Sequence, residues 1–269
     1  MDRQISNEEV KRSNKELHDI EARYYDLLHP EIWNKYEQWQ INRDINKISD
    51  LVKQSKANVL DVGCGTGNLT IKFIELGYKV TALDISENML KILDDKISSS
   101  LKDNVNFVCE DIDNYLLATD KMYDVICFSS VLHHLGNYFY TLDHAISRLK
   151  DGGIIYIVHE PLAMHTNLVQ NYVKRSLSFI DGHLYRRYLA KRSKYLKLPN
   201  LDYTISDIHS KDGLKVQQIS TFLNDKGMEI IFRKQYANYK NGIVCLFGNF
   251  LYDVKEFKMI AQKREIIIR

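Results

Sequence analysis

The chain has 269 residues, 45% hydrophobic and 27% charged, with a formal net charge of +2. That is an ordinary globular balance, with enough chain to bury a large core, and the charge is too mild to imply a nucleic-acid partner. The start, MDRQISNEEVKRSNKE, lacks the apolar core of a secretory signal, and no run approaches the roughly 18 apolar residues of a membrane span, so a cytoplasmic protein without a membrane partner is expected.

Cys64, Cys109, Cys127 and Cys245 form no C-x-x-C pair, and three lie in or beside apparent strands. The pattern predicts buried reduced thiols rather than disulfides or a metal site. Residues 7 to 28 carry Val10, Leu17, Ile20, Tyr24, Leu27 and Leu28 at helical spacing until His29-Pro30 stops the pattern. A second helix is expected over Ile32 to Val52, with Trp33, Tyr36, Trp39, Ile45 and Ile48 on its apolar side.

From Ala57 strands and helices alternate, which predicts a parallel sheet covered on both faces. The first strand runs into VLDVGCGTGNLT, Val59 to Thr70, where Gly63, Gly65 and Gly67 follow Asp61-Val62 and precede a helix-compatible run. Glycine at alternate positions permits positive φ and lets a ligand lie against backbone N–H groups at a helix start. A nicotinamide fingerprint would need its third glycine at position 68, which is Asn68. The acid followed by GxGxG instead resembles motif I of class I S-adenosylmethionine-dependent methyltransferases.

The second strand ends at Asp84, seventeen positions past Gly67, where a carboxylate can accept both ribose hydroxyls of a bound nucleoside. Asp84 through Leu90, DISENML, is similar to the family's D-x-S-x-x-M-L form, which places Ile85 and Met89 at the cofactor; Ser86 is a plausible cap for the next helix. The third strand, Val105 to Cys109, ends in Glu110-Asp111-Ile112. The resemblance implies that Asp111 bonds the adenine amino group and Ile112 packs on the ring, with Glu110 able to exchange with Asp111. Strand four and VLHHL, Val131 to Leu135, again resemble the family, and Ser129 at the strand's carboxyl end is a candidate for backbone contact with the cofactor. The segment EARYYDLL, Glu21 to Leu28, resembles one that folds over the cofactor in related enzymes. Tyr25 therefore covers the ligand, or it packs the helices onto the sheet. Cys64 reads as a small residue tolerated in the turn.

The fifth strand, Ile154 to Val158, is continuously apolar and should be central; it ends at His159-Glu160-Pro161. The resemblance implies a Rossmann-like α/β fold as one domain: a helical cap (1–53), a cofactor core (54–161) with a seven-stranded, mostly parallel sheet, an insertion (162–212), and a final part (213–269). The last part is expected to hold a helix from Val216, a strand to Phe232 and a last strand from Gly242 to Phe250. In the insertion Lys174, Arg175, Arg186, Arg187, Lys191, Arg192, Lys194 and Lys197 sit among aromatics, with Asp181 the sole acid between Lys174 and Lys197. It is a solvated helix, a lid over an acidic small molecule, or a surface for RNA.

The family implies methyl transfer from S-adenosylmethionine to an oxygen or nitrogen of a small molecule. His134 and His159 are the candidate general bases, with His133 and Glu160 beside them. A catalytically silent cofactor-binding subunit is the other reading, and the apolar run Ile266-Ile267-Ile268 would suit a partner, a homodimer or one more strand.

Overall fold

Strands buried on both faces need no polar alternation, and the stretches Val59–Val62, Val80–Leu83 and Val125–Phe128 are buried almost without interruption. The computed structural model describes residues 6–163, 168–192, 205–206, 208–209 and 212–264. Its strands are β1 (Asn58–Val62), β2 (Lys79–Asp84), β3 (Val105–Cys109), β4 (Tyr123–Ser129), β5 (Leu149–Pro161), β6 (Met228–Tyr236) and β7 (Glu256–Lys263). They form one sheet in the order β3-β2-β1-β4-β5-β7-β6, parallel from β3 to β5, with β7 antiparallel to both neighbours.

The helices are α1 (Asn7–Glu21), α2 (Tyr25–Leu28), α3 (Pro30–Trp33), α4 (Lys35–Val52), α5 (Thr70–Glu75), α6 (Glu87–Lys96), α7 (Ile112–Ala118), α8 (Tyr138–Ser147), α9 (Leu168–Arg192), α10 (Val216–Asp225) and α11 (Gly242–Phe250). Alternate strand residues feed two separate core layers. Leu60, Ile126 and Ile155 pack with Leu116, Leu142 and Ile219 of α7, α8 and α10. Val59, Val125 and Ile154 pack with Ile45, Phe73 and Leu90 of α4, α5 and α6. The seven-stranded Rossmann-like architecture is the expected one.

Three expectations are corrected. Residues 242–250 are a helix, not the seventh strand: Val244, Cys245 and Gly248 form a buried stripe at helical spacing, and Asn241 caps the first turn through Ile243 N–H at 3.0 Å. The seventh strand is β7, in which Lys258 is buried and paired with Asp44 of α4 at 2.6 Å. The second helix is broken at Asn34, whose extended backbone ends α3 and whose side chain caps α4 through Tyr36 N–H at 3.0 Å. Cys64, Cys127 and Cys245 are buried free thiols, but Cys109 is exposed on β3, an edge strand. Ile266 to Ile268 and Lys194 to Lys197 lie outside the described residues. Among those described, no helix is long and apolar enough to cross a membrane.

Gly67 closes the turn after β1 at φ +93°, and a Cβ there would overlap Leu93 Cδ1 of α6. Gly67→Ala combines left-handed strain with overpacking and should cost about 2–4 kcal/mol. Urea unfolding measures it; an unchanged midpoint would show that the turn yields.

Candidate active site

The strand order reverses between β2 and β4 on either side of β1, and the loops leaving these strands part there to open a cleft. A cavity of about 420 Å³ occupies it. Gly63, Gly65, Asp84, Ile85, Met89, Asp111, Ile112, Ser129 and Tyr25, all proposed from sequence, line this cavity. Asp84 holds the glycine turn to the next helix: Oδ2 accepts from Gly65 N–H and Oδ1 from Ser86 N–H, both at 2.8 Å. Burial pushes this carboxyl up from its ordinary range, against His18 and the two N–H groups. Beneath it Asp61, fully buried, accepts from Thr70 Oγ1 at 2.6 Å, and burial lifts its carboxyl to about 7 despite that bond.

Asp111 is more committed than its assigned role required. Its Oδ1 caps α7 through Asp113 and Asn114 N–H at 3.1 and 3.2 Å and pairs with Lys11 at 2.9 Å. Glu110 also lines the cavity, so both acids stay candidates for the adenine contact. Gly67 does not reach the cavity because it packs on Leu93. Cys64 lines only a small adjoining space of about 20 Å³, its N–H tied to the Leu83 carbonyl at 3.0 Å.

A second chamber, of about 250 Å³, adjoins the cleft. His18, Tyr25, Ser130 and His134 line both. Glu21, His29, Glu31, His133, His159, Asn238 and Glu256 complete a wall in which Pro161 is the single aliphatic member among the described residues. Its histidines are of two kinds. His134 Nδ1 lies 3.0 Å from the Ser206 carbonyl and His18 Nδ1 lies 2.8 Å from the Asn14 carbonyl. A carbonyl only accepts, so both rings donate from Nδ1, which puts the lone pair of a neutral ring on Nε2.

His29 and His159 instead face carboxylates. Burial disfavours their charge, but Glu31 at 3.0 Å and Glu21 at 2.8 Å raise His29 to about 10. Glu256 at 3.3 Å, with Glu37 and Glu31 nearby, raises His159 to about 9 against the same burial penalty. His159 is only 4% exposed and lines the chamber, not the cleft. Protonated at neutral pH, it has no lone pair with which to act as a base.

Glu160, also named beside the candidate bases, is fully buried and serves the histidine segment. Its Oε1 accepts from Val131 and Leu132 N–H at 2.7 and 2.8 Å, and its Oε2 from His133 N–H and Nδ1 at 3.2 and 2.9 Å.

A family model described as a methyltransferase domain matches residues 33–217. The chain belongs to the class I S-adenosylmethionine-dependent methyltransferases. It is 39% identical over 100 residues to a malonyl-[acyl-carrier protein] O-methyltransferase of Ilyobacter polytropus, covering 36% of this chain and 37% of the relative. A ubiquinone biosynthesis O-methyltransferase of Dictyostelium discoideum is 32% identical over 109 residues, 37% of this chain and 34% of the relative. The chain thus spans little more than a third of the length of these curated relatives. Magnesium protoporphyrin IX methyltransferase from Synechocystis PCC 6803, solved with bound S-adenosylhomocysteine, shares the fold at a TM-score of 0.59 and 16% identity, over 94% of this chain and 99% of its own.

The inner face of α1 was not proposed from the sequence. Asn7, Lys11, Asn14 and His18, spaced four, three and four apart, all line the cleft. That spacing is one helix face and was legible as a polar stripe. The insertion reaches the histidine segment through its far end, where His209 N–H donates to the His133 carbonyl at 3.1 Å. Among the described residues none of α9 lines the cleft or the chamber.

The His29 pairs predict a pH dependence. With a folded value near 10 against an ordinary 6.5, their stabilisation is complete below about pH 6.5 and is lost as pH rises through about 10. Urea midpoints of the wild type should fall across that window, and the fall should be smaller in His29→Asn. Parallel curves would refute the pairing.

Proposed function

We propose that this chain transfers the methyl group of S-adenosylmethionine, bound in the cleft, to an oxygen or nitrogen of a small polar acceptor held in the adjoining chamber. The observation that carries this reading is the shared wall: Tyr25, Ser130, His18 and His134 face both spaces. In-line displacement needs the acceptor atom about 3 Å from the sulfonium methyl, and two spaces that share a wall suit such a junction.

Asp84 uses one lone pair of each carboxylate oxygen on Gly65 and Ser86, and its outward lone pairs suit a ribose diol. Tyr25, stacked on His29 at 3.8 Å between ring centres, covers the turn at Gly65. The cofactor supplies the activated methyl; the protein's part is to position the acceptor and take its proton. His134 suits that part because its Nδ1–H is fixed on a carbonyl and its ring stands where the two spaces meet.

The chamber's size and lining narrow the acceptor. About 250 Å³ is below the roughly 300–1,000 Å³ of drug-sized ligand pockets, and the wall is almost wholly polar. The chamber's charged rings are already paired within its own wall, His29 with Glu21 and Glu31 and His159 with Glu256, so this lining favours a neutral or cationic polar acceptor over an acidic one.

Calorimetric titration with S-adenosylmethionine and S-adenosylhomocysteine should give micromolar binding, and NAD should give none; binding of NAD alone would overturn the proposal. Asp84→Ala should weaken cofactor binding about 10- to 150-fold, the 1.5–3 kcal/mol of a charged hydrogen bond. Equal affinity would remove Asp84 from the ribose. With an acceptor found by screening for methyl uptake, His134→Gln should lower kcat about 10²- to 10⁴-fold while cofactor affinity stays the same. An unchanged rate and pH profile in that variant would exclude His134 as the base.

A further inference from the structure

Large apolar side chains stand exposed together on one part of the surface. α11 turns Ile243, Leu246, Phe247 and Phe250 outward, and the turn after it adds Leu251 and Tyr252; Phe250 and Tyr252 are each 78% exposed. The helix is firmly seated on its other side. Asn249 Nδ2 donates to Tyr36 Oη of α4 at 3.3 Å, Asp181 of α9 accepts from Lys240 and Asn241 N–H at 3.1 and 2.8 Å, and Leu177 packs with Val244 and Cys245. Trp39 of α4 is exposed beside Tyr36, stacked on it at 6.0 Å between ring centres, and Phe179 is exposed on the side of α9 turned away from Leu177. A patch of this extent exceeds the scattered exposed apolar residues that any surface shows.

Charge distinguishes among occupants. Lys35 and Arg43 on α4, and Lys174, Arg175, Arg186 and Arg187 on α9, are exposed. Of the acids in α4, α9 and residues 240–255, Glu37, Asp44, Asp181 and Asp253 are buried, and Asp50 in the last turn of α4 is exposed. A second copy on a two-fold axis would set this cationic surface against itself, which like-charge repulsion opposes. Tryptophan, tyrosine and phenylalanine among arginines and lysines is the composition that settles at the headgroup level of a bilayer, with rings at the boundary and cations on phosphates.

We propose that the face formed by α4, α9 and α11 docks this protein on the surface of an anionic lipid bilayer. The inference is independent of the acceptor's identity, because no residue of the face named here lines the cleft or the chamber. Docking is from one side and leaves the fold intact.

Sedimentation of the full chain with phosphatidylcholine vesicles, with and without phosphatidylglycerol, tests it. Binding should be at least about tenfold tighter with phosphatidylglycerol and should weaken as salt is raised. Phe247→Ser with Phe250→Ser, and separately Arg175→Glu with Arg186→Glu, should each lower binding about tenfold or more. These side chains are exposed, so both variants should keep the wild-type circular dichroism spectrum and S-adenosylhomocysteine affinity. Equal sedimentation with both vesicle types would overturn the proposal. So would a dimer in analytical ultracentrifugation that the Phe247→Ser, Phe250→Ser variant dissolves, which would give the face to a second copy.

Discussion

Parallel strands whose connections return through helices must end on one edge of the sheet, and the place of the cleft follows from that constraint. The edge carries the ends of β1, β2, β4 and β5, and two buried carboxylates fix the loops that leave them. Asp84 ties the glycine turn to the start of α6. Glu160 gathers the backbone of Val131, Leu132 and His133. A carboxylate without water is costly, and each is tolerable because N–H donors satisfy it. The same bonds that offset the cost hold the loops where a ligand would meet them.

Legibility in the sequence followed locality. The five parallel strands, the glycine turn and Asp84 were readable because burial on both faces leaves unbroken apolar runs, and because the acid lies a fixed distance past the turn. β7 was not, since Lys258 looks like a surface residue until Asp44, 214 positions earlier, is seen to neutralise it in the core. Residues 242–250 were misread because a nine-residue apolar run fits a buried strand or a helix equally well. Tertiary context decided it: Gly248 lies so close to Ala237 and Tyr239 that a Cβ would be 2.7 and 2.8 Å from them.

The histidines show a different limit. His18, His29, His134 and His159 are chemically identical in the sequence, where only His134 and His159 were named as candidate bases, by position alone. In the chamber their partners separate them: backbone carbonyls set the ring tautomer of His18 and His134, and carboxylates hold His29 and His159 charged. One chamber thereby contains two rings whose tautomer a backbone carbonyl sets and two that neighbouring carboxylates keep charged, so environment divides side chains that are chemically alike. Those partners come from α1 and α3, from the insertion and from β7, so no local motif encodes the division.

The N-terminal cap is joined to the core by a bond type different from the one that joins the strands. α4 is embedded through Ile41, Ile45 and Ile48, whereas α1 buries Val10 and Leu17 and otherwise meets the cleft's rim through polar ties. Asp19 accepts from Ser86 Oγ at 2.6 Å, Lys11 meets Asp111 at 2.9 Å, and Asp26 of α2 accepts from Thr66 Oγ1 at 2.5 Å. Polar ties exchange with water at a net cost of about 0.5–1.5 kcal/mol each, while breaking an apolar layer exposes whole side chains. The division makes α1, and not the embedded α4, the part of the cap whose separation from the sheet exposes least apolar surface, although Asn14 and His18 on it line the cleft.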